Sequence, residues 1–135
     1  FFLFFFLISY KMLYKFYWER PDDEGHVYDE KYIIAVVEDE EGESEIHFVT
    51  IPLAYHSDIF GSYKMKLEAE QGKTVKSVMG GGIVSIDAKE KVLKTYGKSG
   101  GFGAVTINIV EKCLRETIAH QGYTFTVSVT NEIRG

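Results

Sequence analysis

The sequence predicts a single α/β (α+β) domain, a mixed β-sheet of about six strands flanked by two α-helices. Three observations carry this: short β-rich runs separated by polar turns, two stretches where apolar residues recur at helical spacing, and the order in which they alternate. Two strands, a helix, three strands, a helix and a strand make helices that cover a sheet, not a barrel or a bundle. At 135 residues, 45% of them apolar, the chain has enough hydrophobic surface for one packed core.

Lys31–Val37 and Glu45–Ile51 are β-rich, and the polar run Asp39-Glu40-Glu41-Gly42-Glu43 between them reads as the turn of a hairpin. Pro52 closes the second strand. From Tyr55 to Glu70 the period changes: Ile59, Tyr63 and Leu67 recur every four residues among lysines and glutamates, which predicts an amphipathic helix ending near Gly72. Ser57 or Asp58 is the expected N-cap, because a short side-chain oxygen can accept from the unpaired N–H groups of a first turn. Thr74–Met79, Ile83–Ile86 and Lys91–Tyr96 are expected as three further strands. Ala104–Ala119 is the second helix, with Val105, Ile109 and Cys113 beside Val110, Leu114 and Ile118 as a broad apolar face. Tyr123–Val129 alternates apolar and hydroxyl residues, the mark of a strand with one face wet.

Residues 1–26 are expected to form an N-terminal extension and 27–135 the domain. The apolar run Phe1–Tyr10 is too short to span a bilayer and lacks a basic flank and a small-residue cleavage site, so Phe1–Lys11 is left outside the fold pattern. Cys113 is the lone cysteine, which excludes an intrachain disulfide, a CxxC redox pair and a zinc knuckle; the chain reads as cytoplasmic. The net charge of −5 is unevenly spread. Glu19–Glu45 holds twelve acids against Arg20 and Lys31, a local −10, which leaves +5 elsewhere. That remainder suits an anionic group or a phosphoprotein but has no Arg/Lys stripe that would follow a nucleic-acid backbone.

Of the four histidines, His26 lies in the acidic lead-in, His47 in a strand and His120 at a helix end, each without an evident partner in the pattern. His56 differs, because Tyr55-His56-Ser57-Asp58-Ile59 puts it where a helix begins. Unpaired N–H groups there attract an anion, and an imidazole can act as a general base near neutral pH. Gly80-Gly81-Gly82 is followed by neither Lys-Ser/Thr nor a helix, so a nucleotide P-loop is not expected and a bulge or close strand crossing is. Gly97-Lys98-Ser99-Gly100-Gly101-Phe102-Gly103 connects a strand to a helix. Successive free amides in such a loop can form an anion-binding nest, to which Lys98 and Ser99 add a charge and a hydroxyl; a plain glycine-rich connection fits the sequence equally well.

Four pieces of this chain together resemble the 14 kDa phosphohistidine phosphatases, the Janus family. They are Lys31-Tyr32, Tyr55-His56-Ser57-Asp58-Ile59, Gly80-Gly81-Gly82 followed by Ser85, and Tyr96-Gly97-Lys98-Ser99-Gly100-Gly101-Phe102-Gly103, in family order from about Val27 to Val129. The resemblance implies a hydrolase without cofactor or metal that removes phosphate from phosphohistidine-containing proteins; no nucleic-acid or membrane partner is expected, and the chain is expected to be a monomer. It implies His56 as the catalytic base, Lys31 as a substrate-binding lysine, and Ser99, Gly100 and Gly101 as the loop that holds phosphate. Tyr55 and Ser57 flank the histidine, and Lys98 sits within the loop. The chain departs from the family pattern at Ile83, where many members have arginine, near Phe48, where a basic residue is usual, and near Ile107, where a histidine is usual. The alternative expectation is therefore a weak or inactive relative that keeps the anion pocket and binds phosphoproteins, and a third is a protein of this fold with no phosphate ligand.

Overall fold

The computed structural model describes residues 12–20, 27–128 and the backbone of 133–134. Its elements are β1 (Leu13–Trp18), β2 (Tyr28–Glu38), β3 (Ser44–Thr50), α1 (His56–Glu70), β4 (Thr74–Asp87), β5 (Val92–Tyr96), β6 (Lys98–Ser99), α2 (Ile107–Glu116), a 3₁₀ turn at Ile118–Gln121, β7 (Thr124–Val127) and β8 (Ile133–Arg134). Six strands form one sheet in the order β1-β3-β2-β4-β5-β7, and β6 pairs with β8 apart from it. The two edge pairings, β1 with β3 and β5 with β7, are parallel; the central ones are antiparallel. The mixed sheet and two helices are those the sequence predicts.

The helices cover opposite faces. Along β2, Ile33, Ala35 and Val37 join Ile59, Tyr63 and Leu67 of α1 in one core. Tyr32 and Ile34 join Val110, Cys113 and Leu114 of α2 in the other. A strand buried on both sides reads as a continuous apolar run, and this is why β2 shows no alternation. On the α2 side Phe48 is fully buried, stacked between Phe16 at 5.0 Å and Tyr32 at 4.5 Å. The position around which a basic residue is usual in the Janus pattern is here the middle of an aromatic stack.

Three differences from the sequence expectation have physical causes. Leu13–Trp18, for which the sequence pattern predicts no element, is an edge strand, held by the Phe16 stack and by Tyr17 packing on Tyr63 at 4.9 Å. The expected strands at Thr74–Met79 and Ile83–Ile86 are one 14-residue strand, β4, because the three glycines stay in the ladder. Two bulges interrupt its pairing with β2, at Ile34/Ala35 and Val36/Val37, so its side chains change face twice and no simple period survives in the sequence. The second helix is shorter than expected and gives way to the 3₁₀ turn, while its apolar face is the expected one. The expected Val129 end of the last strand and His26 lie outside the described residues.

Candidate functional site

The bulge decides what faces α1. Beyond it, Gly81 and Ile83 look toward the helix, and register places Gly81 opposite Ile33 and Ile83 opposite both Lys31 and Tyr96. Residues directly opposite in a ladder share a face. Lys31, Ile83 and Tyr96 therefore form a row on the face that carries His56. They line a depression of about 170 Å³ together with Asp29 and Glu30, and the Tyr96 hydroxyl points to Asp29 Oδ1 at 3.5 Å. The lysine shares its depression with two carboxylates, and its floor at Ile83 is apolar and 4% exposed.

His56 is the first residue of α1 and 1% exposed. Its Nε2 lies 2.9 Å from the carbonyl oxygen of Gly82, and since a carbonyl only accepts, Nε2 carries the proton. In the neutral ring the lone pair is then on Nδ1. The glycines make this seat possible: a Cβ on Gly81 would lie 2.4 Å from Tyr32 O and 2.8 Å from His56 Cδ2, and one on Gly82 2.7 Å from Tyr96 O. Gly80, at φ +153°, passes so close to the Ala104 carbonyl that its Cβ would fall 2.8 Å from it. The glycine run is both bulge and close crossing, the bland expectation for it, and it is also the socket of the histidine.

The helix starts earlier than expected. Tyr55 is the N-cap, with its carbonyl accepting from the N–H groups of Asp58 and Ile59. Asp58, one of the two expected caps, instead reaches back from the third helical position to accept the Tyr55 N–H at 3.2 Å, so it steadies the first turn from inside. Tyr55 is 58% exposed and Ser57 lies on the solvent side.

The loop 97–103 folds over the glycine run. Gly103 O accepts the Gly81 N–H at 3.0 Å, and Gly103 and Ser99 exchange backbone bonds. Ser99 is 2% exposed, and its Oγ accepts the Phe102 N–H at 3.0 Å. The hydroxyl closes the turn, and the Ser99 amide is committed to Gly103 O. Gly100 and Gly101 are exposed, and their amides carry no hydrogen bond among the described residues. Phe102 packs edge-on against Phe60 of α1, ring centres 6.0 Å apart, which ties the loop to the helix that begins with His56. Lys98 is half-buried in β6. The structure thus gathers His56, the glycine run and the loop over the middle of β2 and β4 and the end of β5, with Lys31 on the same face in a depression whose other walls are Asp29, Glu30, Ile83 and Tyr96.

His47 corrects the expectation that it lacks a partner. It is 2% exposed, and Glu45 and Tyr63 bond its two ring nitrogens at 2.8 and 2.6 Å. A Glu-x-His pair on one strand puts both side chains on one face, and that spacing was the available signal. His120 is exposed at the end of the 3₁₀ turn, as expected. Among the described residues no group of three His, Cys, Asp or Glu side chains is placed to hold a metal ion, and no helix is long and apolar enough to cross a membrane. Burial pushes the Cys113 thiol up to about 12, which leaves it protonated and unreactive at neutral pH.

No curated protein matches the chain. The model of the Janus/Ocnus family matches residues 22–124, a span that holds His56, the glycine run and the loop that covers it, and the chain belongs to that family.

Proposed function

We propose that this chain is a protein phosphohistidine phosphatase that hydrolyses the P–N bond with His56 as general base. The observation that carries the reading is the seat of His56: its Nε2–H is tied to Gly82 O, its basic nitrogen in the neutral ring is Nδ1, and the loop with the exposed Gly100 and Gly101 amides lies over the same glycine run. In the reaction Nδ1 takes a proton from water as the water oxygen bonds to phosphorus. The P–N bond breaks, and the proton passes to the departing imidazole of the substrate. Two preorganised amides and Lys31 would meet the charge on the phosphoryl oxygens. Positioned donors and one base suffice for a bond as labile as P–N.

A second reading, a regulatory module that binds phosphoproteins without turnover, is favoured by separate observations. Ile83 is a buried apolar residue where many family members carry arginine, Phe48 fills the region of a second family cation, and His56 is almost fully enclosed.

Phosphate release from a phosphohistidine peptide, in the presence of chelator, distinguishes the two when wild type is run beside His56→Ala. Wild-type turnover that the substitution abolishes supports the enzyme. Binding of the peptide without turnover supports the module and removes catalysis from the account.

A further inference from the structure

The structure buries a second set of ionisable side chains that the proposed chemistry does not use. Glu45, His47 and Tyr63 are 4%, 2% and 3% exposed. They join β3 to α1, and Lys73, just before β4, donates to both Glu45 oxygens at 3.0 and 3.2 Å. Burial pushes the Glu45 carboxyl up, but the hydrogen bonds from His47 and Lys73 outweigh it and hold the group below its ordinary value. Glu45 is therefore a carboxylate and only accepts.

That sets the direction of every bond in the chain. His47 Nε2 must donate to Glu45, so in the neutral ring Nδ1 accepts and the Tyr63 hydroxyl donates. A second proton on His47 would turn Nδ1 into a donor facing another donor. The Tyr63 hydrogen would then need a new acceptor in a dry place, at a desolvation cost. Of the charged groups around the ring, Glu45 on β3 favours protonation, while Lys73 before β4 and Lys15 on β1 oppose it; Tyr17, also on β1, packs on Tyr63. Burial is the largest influence and holds the histidine below its ordinary value.

Tyr63 lies seven residues after His56, about two turns along the same helix. We propose that Glu45, His47 and Tyr63 form a strut of fixed hydrogen-bond polarity, in which His47 is a positioning residue that sets α1, and His56 at its start, against the sheet, and which protonation of His47 releases. The effect on turnover rests on the phosphatase reading above; the strut itself does not.

The test uses the full chain. Nitrogen-15 NMR of the histidine rings is expected to find His47 as the Nε2–H tautomer at about pH 7.5. Hydrogen exchange, corrected for intrinsic rates, is expected to show α1 amides losing about tenfold protection relative to β2 between about pH 7.5 and about pH 5, as a local opening does. His47→Gln, whose amide can donate to Glu45 and accept from Tyr63 but does not titrate, is expected to keep α1 protected across that range. Tyr63→Phe, which serves if the glutamine variant does not fold, is expected to show weak α1 protection at both values. If wild type turns over phosphohistidine peptide, kcat is expected to fall with acid in step with the exchange, at constant KM, and the fall is expected to be smaller in His47→Gln. An Nδ1–H tautomer, equal acid response of α1 and β2, or wild-type acid response in His47→Gln overturns the proposal. Absence of wild-type turnover would sink the phosphatase reading alone, and the exchange measurements would still decide the strut.

Discussion

Adding one methyl group at Gly81 tests whether the glycine run is the socket of His56. In Gly81→Ala the new Cβ would stand 2.4 Å from Tyr32 O, 2.8 Å from His56 Cδ2 and 3.3 Å from His56 Nε2. Even favourable C···O contacts stop near about 3.3 Å, so the overlap with the carbonyl approaches about 1 Å. Tyr32 lies in β2, paired on both sides, and its backbone cannot retreat without breaking a ladder. The ring of His56 is the softer neighbour, and moving it breaks a buried bond to Gly82 O. Overpacking costs about 1–3 kcal/mol and an unmade buried hydrogen bond about 1–3 kcal/mol. A total near 3 kcal/mol lowers Tm by roughly 12 °C in a domain of this size, at about 4 °C per kcal/mol. Thermal melting followed by circular dichroism measures it, and the His56 ring signals report the displaced bond. Gly101→Ala is the control, since its Cβ would meet nothing within 4 Å and its φ is not positive; it is expected to be neutral or stabilising by up to about 1 kcal/mol. A Gly81→Ala protein that melts within about 3 °C of wild type, with unchanged His56 signals, would refute the reasoning.

Phe48→Ala removes the ring stacked between Phe16 and Tyr32 and is expected to cost about 3–5 kcal/mol in urea unfolding, loosening β1 with it. Ser99→Ala leaves the Phe102 N–H without its acceptor; about 1 kcal/mol of stability and faster exchange of that amide are expected, while the Gly103–Gly81 bond persists. Acid is expected to weaken the fold in two stages. His47 is depressed in the folded chain, so its contribution is whole above its ordinary value of 6.5 and declines as pH falls below it; Glu45, also depressed, contributes above 4.5 and is lost lower still. Midpoints of urea unfolding measured from pH 7.5 to pH 3 check both stages, and His47→Gln should flatten only the upper one.

Much of the architecture was legible because the relevant signals are local. The four-residue spacing of Ile59, Tyr63 and Leu67, the face of Val110, Cys113 and Leu114, and the turn after Glu38 depend on residues near one another in the chain. What resisted reading was non-local. Leu13–Trp18 is a strand by virtue of Phe48 and Tyr63, more than thirty residues away. β4 hid its continuity because two bulges shift its faces, and a bulge is specified by the partner strand. The site divides in the same way. His56 and its loop were found from short segments, whereas the burial of Ser99 and the bond of Tyr63 to His47 follow from packing.

The sequence by itself determined the class of fold, the amphipathic helix that follows Pro52 and the glycine-rich pieces that mark the Janus/Ocnus family, since each is encoded in residues near one another in the chain. Only the tertiary structure decided that Gly82 holds His56, that the family's arginine position is a buried isoleucine opposite Lys31, and that a second histidine is locked between Glu45 and Tyr63. The bonds of Tyr63 to His47 and of His56 to Gly82, and the pairing of Ile83 with Lys31, join residues 16 to 52 positions apart, and such relations are set by which strands pair and which faces the helices cover, physical facts that no local pattern carries.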